Sequence, residues 1–182
     1  MVVLDDDMRA VIAAQRLCFA ATVTADGRPN LSPKGTIRVW DDRHLCFCDI
    51  CSPGTRANLR SNPWIELNVV DQLSRRGYRF LGQATLHVGD EVYREALARI
   101  AAEGGGGYRV EAVVLVAVER ALPVVSPGYA HVPDERAMRA QWRVRRGTLD
   151  AEFDAYLARR AFAAPAGPEP PGGAGVPARG AE

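Results

Sequence analysis

Apolar residues in the first two thirds of the chain occur in short runs and alternating stretches that are separated by turn residues. The segment Trp64–Asp71 is rich in β-branched and aromatic residues, which is typical of a strand. Asp26-Gly27 follows another such run and is typical of a β-hairpin turn. The pattern predicts six strands: Leu17–Thr24, Asn30–Trp40, Leu45–Ile50, Trp64–Asp71, Tyr78–Val88 and Tyr108–Val118.

Segments between and after these strands have the spacing and end signals of helices. Ser52 precedes Pro53, so a hydroxyl cap stands directly before a proline at the first helical position, and Asn62-Pro63 ends that helix. The predicted helices are residues 5–16, 54–61, 90–103 and 133–146, with a further helix at 149–161. Short turns between consecutive strands favour antiparallel pairing, so we predict a mainly β protein, a small closed barrel with flanking helices.

The last 20 residues differ in composition from the rest of the chain. Sixteen of residues 163–182 are Ala, Gly or Pro, a composition that cannot form an apolar core. We therefore expect one folded domain over residues 1–162 and a disordered tail over residues 163–182. The four glycines Gly104–Gly107 predict a flexible joint within the domain.

The charge balance is nearly even, since 23 basic and 22 acidic residues give a net charge of +1. A chain without a strong basic excess is not expected to bind nucleic acid or an anionic membrane surface. No apolar run approaches the roughly 20 residues of a membrane span. The acidic start at Asp5–Asp7 differs from the basic start of a secretory signal, so a cytoplasmic location is expected.

Three of the four cysteines, Cys46, Cys48 and Cys51, lie close together in a C-x-C-x-x-C spacing. That spacing lacks a clear fourth ligand and is not a usual zinc-binding pattern. Cys46 and Cys48 also fall in a predicted strand, where small buried thiols are common. The three histidines have no partner at metal-ligand spacing, so no metal site is predicted.

The predicted second strand alternates between an apolar face and a polar face. Its polar face carries two hydroxyls and two cations in one row, namely Ser32, Lys34, Thr36 and Arg38. Such a row suits an anion, because the cations supply charge and the hydroxyls supply hydrogen bonds. Lys34 is the only lysine among the 23 basic residues, which favours a ligand site. A solvated outer face of a half-buried sheet is the alternative.

Two further segments carry polar and cationic residues. Ser52 and Thr55 stand at the start of the second predicted helix, where free backbone N–H groups and the helix dipole favour a phosphate. Ordinary capping is the alternative there. Residues 75–80 combine three arginines with Tyr78 and could hold a flat anionic ligand by charge and stacking. A solvated basic turn is the alternative for this segment.

The run from Pro29 to Gly82, with SPKG, SPGTRANLRSNP and RRGYRFLG as its motifs, resembles the pyridoxamine 5′-phosphate oxidase-like family of FMN-binding split barrels. The resemblance implies a six-stranded antiparallel split barrel that forms a homodimer with FMN in a groove at the interface. It implies phosphate contacts from Ser32, Lys34, Arg38, Ser52 and Thr55, and contacts to the ribityl chain and ring from Asp49, Arg76, Gly77 and Tyr78.

Two departures from that family's oxidases bear on the activity. Gly54 and Thr55 stand where the oxidases have extra cationic residues, and the end of the chain lacks their arginine-bearing motif for the pyridoxal substrate. Vitamin B6 oxidation is therefore not expected. The resemblance implies an FMN-dependent oxidoreductase acting on an unidentified small molecule by hydride transfer through flavin N5, with Arg76 as a candidate for stabilising charge on the ring. The alternatives are a non-catalytic flavin- or haem-binding split barrel and an F420-dependent reductase.

Overall fold

The computed structural model describes residues 2–104 and 107–158. Its strands are β1 (Cys18–Val23), β2 (Pro29–Lys34), β3 (Arg38–Val39), β4 (His44–Asp49), β5 (Trp64–Asp71), β6 (Arg76–His87) and β7 (Ala112–Val125). Its helices are α1 (Asp6–Ala14), α2 (Pro53–Ser61), α3 (Glu91–Ala102) and α4 (Glu135–Leu157), with a 3-10 helix at Pro127–Ala130. The strands form one antiparallel sheet in the order β2-β1-β5-β6-β7-β4-β3.

This strand order shows how the sheet curls into a barrel. β2 and β3 lie at opposite edges of the sheet, yet only residues 35–37 separate them in the sequence. The step from Lys34 to Arg38 spans at most about 14 Å of extended chain. The two edges are therefore held close together, which confirms the predicted mainly antiparallel split barrel with flanking helices.

The single strand predicted over residues 30–40 is wrong, because the chain leaves the sheet at Gly35 and re-enters it as β3. Seven strands therefore stand where six were predicted. The hydroxyl of Thr36 accepts a hydrogen bond from the Cys48 amide at 2.8 Å, in the place where a backbone partner would continue the β3–β4 ladder. The Thr36 side chain thus replaces one backbone hydrogen bond of the ladder, and β3 is limited to Arg38–Val39.

Two other elements differ from the sequence predictions. β7 begins at Ala112, four residues after the predicted start at Tyr108. It continues to Val125, well beyond the predicted end at Val118, because it pairs with β6 from His87 to Arg76 through one bulge at Leu81/Gly82. α4 is one continuous helix where two were predicted. At the predicted break, the Thr148 hydroxyl donates a hydrogen bond to the Val144 carbonyl at 3.3 Å within the continuous helix, a contact that helices accommodate.

The core fills the barrel and is closed at one end by the first helix. Phe47 and Phe80 are its largest buried side chains, and Ile12 of α1 packs into the same cluster. A second, smaller cluster lies beneath α3, where Cys46 and Cys48 pack with Ala96. β4 separates the two clusters, since Phe47 points into the barrel and its two cysteine neighbours point towards α3.

The chain divides into two compact units, with the boundary between Arg143 and Val144. The described part of the second unit is the rest of α4, whose Phe153 and Tyr156 rings stack at 5.9 Å between centroids. None of the described helices is long and apolar enough to cross a membrane. The predicted domain end at residue 162 and the tail at 163–182 lie outside the described residues.

Candidate functional site

A buried lysine lies at the centre of the candidate site. Lys34, the last residue of β2, is only 4% exposed. Its ammonium donates hydrogen bonds to the Ser32 hydroxyl at 2.5 Å and to the Ser52 hydroxyl at 2.6 Å. β2 and the start of α2 thus bring together three of the residues that the sequence predicted for a phosphate.

Burial disfavours the charged form of this ammonium. Desolvation lowers the pKa of Lys34 below its usual range, while the negative charge of nearby Asp49 acts in the opposite direction. An ammonium has three N–H donors, and the two serine hydroxyls accept two of them. Among the described residues two acceptors serve three donors, so this buried cation is suited to an anionic ligand that would restore its lost solvation.

Asp49, at the end of β4, places a second buried charge beside the lysine. Its Oδ1 accepts a hydrogen bond from the Ser52 amide at 2.8 Å. Its Oδ2 lies 3.2 Å from Arg56 Nη1, which is close enough for an ion pair. Among residues 2–104 and 107–158, however, nothing donates a directed hydrogen bond to Asp49 Oδ2. This carboxylate oxygen is therefore a buried acceptor suited to a hydroxyl group of a ligand.

The N-terminus of α2 faces the same cluster. The Ser52 hydroxyl binds Lys34 instead of capping the helix, and Pro53 supplies no N–H group. Gly54 leaves space beside the helix start, since a Cβ there would come no closer than 3.9 Å to Asn30. The positive end of this nine-residue helix thus adds to the field that Lys34 creates.

A buried network of hydroxyl and amide groups fixes α2 against the sheet, and the sequence predictions missed most of it. The Thr22 hydroxyl accepts hydrogen bonds from the side-chain amides of Asn30 at 3.1 Å and Asn58 at 3.0 Å. Thr55 is 2% exposed, and its hydroxyl lies 3.5 Å from the same Asn30 amide. Thr22 falls on the buried side of β1, so strand alternation could have identified it as a polar residue that needs partners.

Arg38 does not join the Lys34 cluster in the described chain. Its guanidinium binds Glu103 through Nε at 3.1 Å and the Thr36 carbonyl through Nη1 at 2.9 Å. The predicted row of four polar side chains therefore splits in two, because the chain leaves the sheet at Gly35.

Arg76, Gly77 and Tyr78 line a different cavity of about 240 Å³, between α1, β6 and α4. Arg76 is paired with Glu135 at 3.4 Å. The hydrogen bond from Tyr78 to Asp7, at 2.5 Å, raises the pKa of Tyr78 to about 12, with burial adding to the effect. Desolvation would raise the pKa of Asp71 in this cavity, but backbone N–H groups and Arg139 hold it below its usual range.

The cysteines show no arrangement suited to a metal, and the described residues contain no group of three metal-ligating side chains. Cys18, Cys46 and Cys48 are buried, whereas Cys51 is exposed. Burial raises the pKa of Cys18 and of Cys46 to about 12.

We therefore expect one of the four thiols to react with Ellman's reagent at neutral pH in the folded protein, and all four after unfolding. The reason is that the thiolate is the reactive form, and burial disfavours it at three of the four positions. Cys51→Ser should abolish the reaction of the folded protein. Fast reaction of that variant would contradict the burial of the other thiols.

Comparison with known proteins identifies relatives of this chain. Residues 4–127 match the family model described as pyridoxamine 5′-phosphate oxidase. HupZ from Group A Streptococcus, known from a crystal structure, has 34% sequence identity to this chain, and the two structures match with a TM-score of 0.61. The match covers 67% of this chain and 94% of the HupZ chain. No curated protein matches the chain.

Two more distant structures share the fold alone. An FMN-binding protein from Syntrophomonas wolfei has 16% sequence identity to this chain and a TM-score of 0.59. The match covers 68% of this chain and 87% of the Syntrophomonas chain. An F420 reductase has 17% sequence identity to this chain and a TM-score of 0.51. The match covers 65% of this chain and 98% of the reductase chain.

Proposed function

Because the chain belongs to the pyridoxamine 5′-phosphate oxidase family, we propose that it is an FMN-dependent oxidoreductase that acts on a small molecule. The observation that carries this proposal is the buried ammonium of Lys34, held between two serine hydroxyls beside the N-terminus of α2. The proposal includes the cytoplasmic location expected from the sequence.

The phosphate group of FMN would bind at this cluster. Lys34 would supply the charge, and Ser32 and Ser52 would reorient their hydroxyls from the ammonium towards phosphate oxygens. The amides of the first turn of α2 would add further donors, as helix N-termini do for phosphates. Thr55 stands on that same turn, and its position supports the phosphate contact expected from the sequence.

The ribityl chain of the cofactor fits the buried acceptor next to this cluster. Asp49 Oδ2 would accept a hydrogen bond from a ribityl hydroxyl, which satisfies an oxygen that the described protein leaves without a donor. Arg56 Nη1 lies 3.2 Å from the same oxygen and helps to hold the carboxylate in place. When bound, the flavin supplies hydride transfer at N5, and the protein's part is to bind it, orient it and exclude water.

A homodimer with the flavin between the copies is part of the same proposal. The cavity lined by Arg76, Gly77 and Tyr78 is separate from the Lys34 cluster of the same chain. In a dimer, one cofactor could contact the Lys34 cluster of one copy and the Arg76 cavity of the other. A surface suited to a second copy exists on the outer side of the sheet. Its exposed apolar residues are Leu17, Phe19, Val23, Leu31 and Trp64.

The proposal is tested by the visible absorbance spectrum of the freshly purified protein, followed by denaturation and chromatography of the released compound. We expect the two absorbance bands of an oxidised flavin and the release of FMN. If the protein is an oxidoreductase, a reductant should reduce the bound flavin and bleach those bands. Release of a deazaflavin would replace FMN by F420 as the cofactor. A colourless protein that also fails to bind added FMN would contradict the proposed function.

A further inference from the structure

The second half of α4 carries apolar side chains on an exposed helix face. Leu149, Phe153 and Tyr156 follow one another at intervals of four and three residues, which places them on one side of the helix. They are 47%, 57% and 42% exposed, respectively. We call these three residues the α4 strip. The family model matches residues 4–127, so the α4 strip lies outside the part of the chain that the family shares.

The α4 strip is suited to contact with another helix. Its two aromatic rings, Phe153 and Tyr156, stack on each other at 5.9 Å between centroids and still remain open to solvent. A row of exposed apolar side chains at this spacing is the pattern by which a helix packs on a neighbouring helix. Burial of such side chains drives association in water.

Charged residues border the α4 strip in a defined order. At about 100° per residue, Arg145 and Glu152 lie on one side of Leu149, the arginine before it and the glutamate after it. On the other side of Leu149, Arg146 lies before it and Phe153 after it. The face is therefore positive towards the start of the helix and acidic or aromatic towards its end.

This order is self-complementary in an antiparallel pair of helices. Two identical helices that cross at Leu149 about a two-fold axis bring the same side of each helix together. A residue that precedes Leu149 in one copy then lies level with a residue that follows it in the other copy. Arg145 thus meets Glu152 of the other copy as an ion pair, and Arg146 meets the Phe153 ring of the other copy as a cation–π contact. Symmetry forms each contact twice.

A parallel pair would not use this pattern. It would place Arg146 against Arg146 of the other copy, beside the apolar contact, where like charges repel. Arg146 also lies 3.6 Å from Asp150 of its own helix, but both side chains are exposed and such a pair contributes little. The charge pattern therefore favours the antiparallel arrangement.

We propose that α4 binds the α4 of a second copy of this chain in an antiparallel pair, with Leu149 at the two-fold axis. The partner is a second copy because the apolar residues and both kinds of charged contact match when the helix meets itself. The pair uses no residue of the Lys34 cluster and none of the outer sheet face, so the inference is independent of the proposed function.

Disulfide cross-linking of the full-length protein tests the proposal, in a Cys51→Ser background that removes the exposed native thiol. Leu149→Cys should form a covalent dimer under mild oxidation, because the axis brings the two thiols together. Val144→Cys is the matched control, since Val144 is 75% exposed but lies about 140° around the helix from Leu149. We expect its cross-linked fraction to be about tenfold lower, because its thiols point apart.

Mixed chains test the direction of the pair. Arg145→Cys chains and Glu152→Cys chains should cross-link to each other when mixed, whereas Arg145→Cys alone should not. Arg145→Glu should lower the cross-linking of Leu149→Cys several-fold, and Arg145→Glu combined with Glu152→Arg should restore it, because the ion pair is reformed with its charges exchanged.

Three results would overturn the proposal. They are equal cross-linking of Leu149→Cys and Val144→Cys, self-cross-linking of Arg145→Cys, and no cross-linking between the mixed chains. The absorbance spectrum of the bound cofactor tests the proposed function separately, since none of these substitutions lies in the Lys34 cluster.

Discussion

Replacing Lys34 with methionine is expected to weaken the binding of FMN by roughly 10- to 150-fold, the range that corresponds to one lost charge-assisted hydrogen bond. Methionine has a similar length and keeps the cavity filled, but it cannot donate to a phosphate. Lys34 is 4% exposed and is already directed by Ser32 and Ser52, so little reorganisation is needed when the phosphate binds. Fluorescence titration of the apoprotein with FMN measures the change.

The same substitution should not lower the free energy of unfolding by more than about 1 kcal/mol, because the relief of a buried charge offsets the lost hydrogen bonds to two hydroxyls. This separates loss of binding from loss of folding. Arg43→Met is the control, since it removes an exposed cation from the turn before β4 and should leave the affinity unchanged. If Lys34→Met bound FMN with unaltered affinity, Lys34 would not be a phosphate-binding residue.

Gly77→Ala is expected to destabilise the protein by about 3 kcal/mol or more, as overpacking against rigid neighbours does. A Cβ at residue 77 would lie 2.0 Å from the Val69 carbonyl oxygen and 2.7 Å from the Val70 Cα. Both atoms belong to the backbone of β5, to which β6 is paired at this point, so they cannot move aside without breaking the ladder. Urea unfolding of the variant and the parent protein measures the difference.

Gly35→Ala is the matched control for that experiment. Within the described chain, no heavy atom outside its immediate neighbours lies within 4 Å of a Cβ built on Gly35, so the substitution should change the stability little. An unchanged urea midpoint in Gly77→Ala would contradict the close approach of β5 and β6. The expected loss gives Gly77 a structural role, in addition to the cofactor contact that the resemblance implies.

Much of the fold could be predicted because hairpin signals and strand alternation are local. β1, β4 and β5 lie within a residue or two of their predicted bounds. The break at residues 35–37 could not be predicted, since the hydroxyl of Thr36 replaces a ladder bond through Cys48, which is 12 residues away. The end of β7 was missed for a similar reason, because it depends on pairing with distant β6.

The candidate site was partly predictable for the same physical reason. Ser32 and Lys34 are neighbours on one strand face, and the start of α2 is marked by Ser52-Pro53, so each half of the cluster has a local signal. Arg38 was expected beside them on the assumption that one strand continues, and the break directs it towards Glu103 instead.

The short connection between β2 and β3 also bears on how this barrel can assemble. Closing a loop costs less entropy when fewer residues lie between its ends, and here the chain itself ties the two outer edges of the sheet together. The distant pairs β1–β5 and β4–β7 carry the higher cost, because 40 or more residues separate many of their partners. The β2–β3 connection is thus the least costly to close, and we expect the pairing of β1 with β5 and of β4 with β7 to be the slow part of folding.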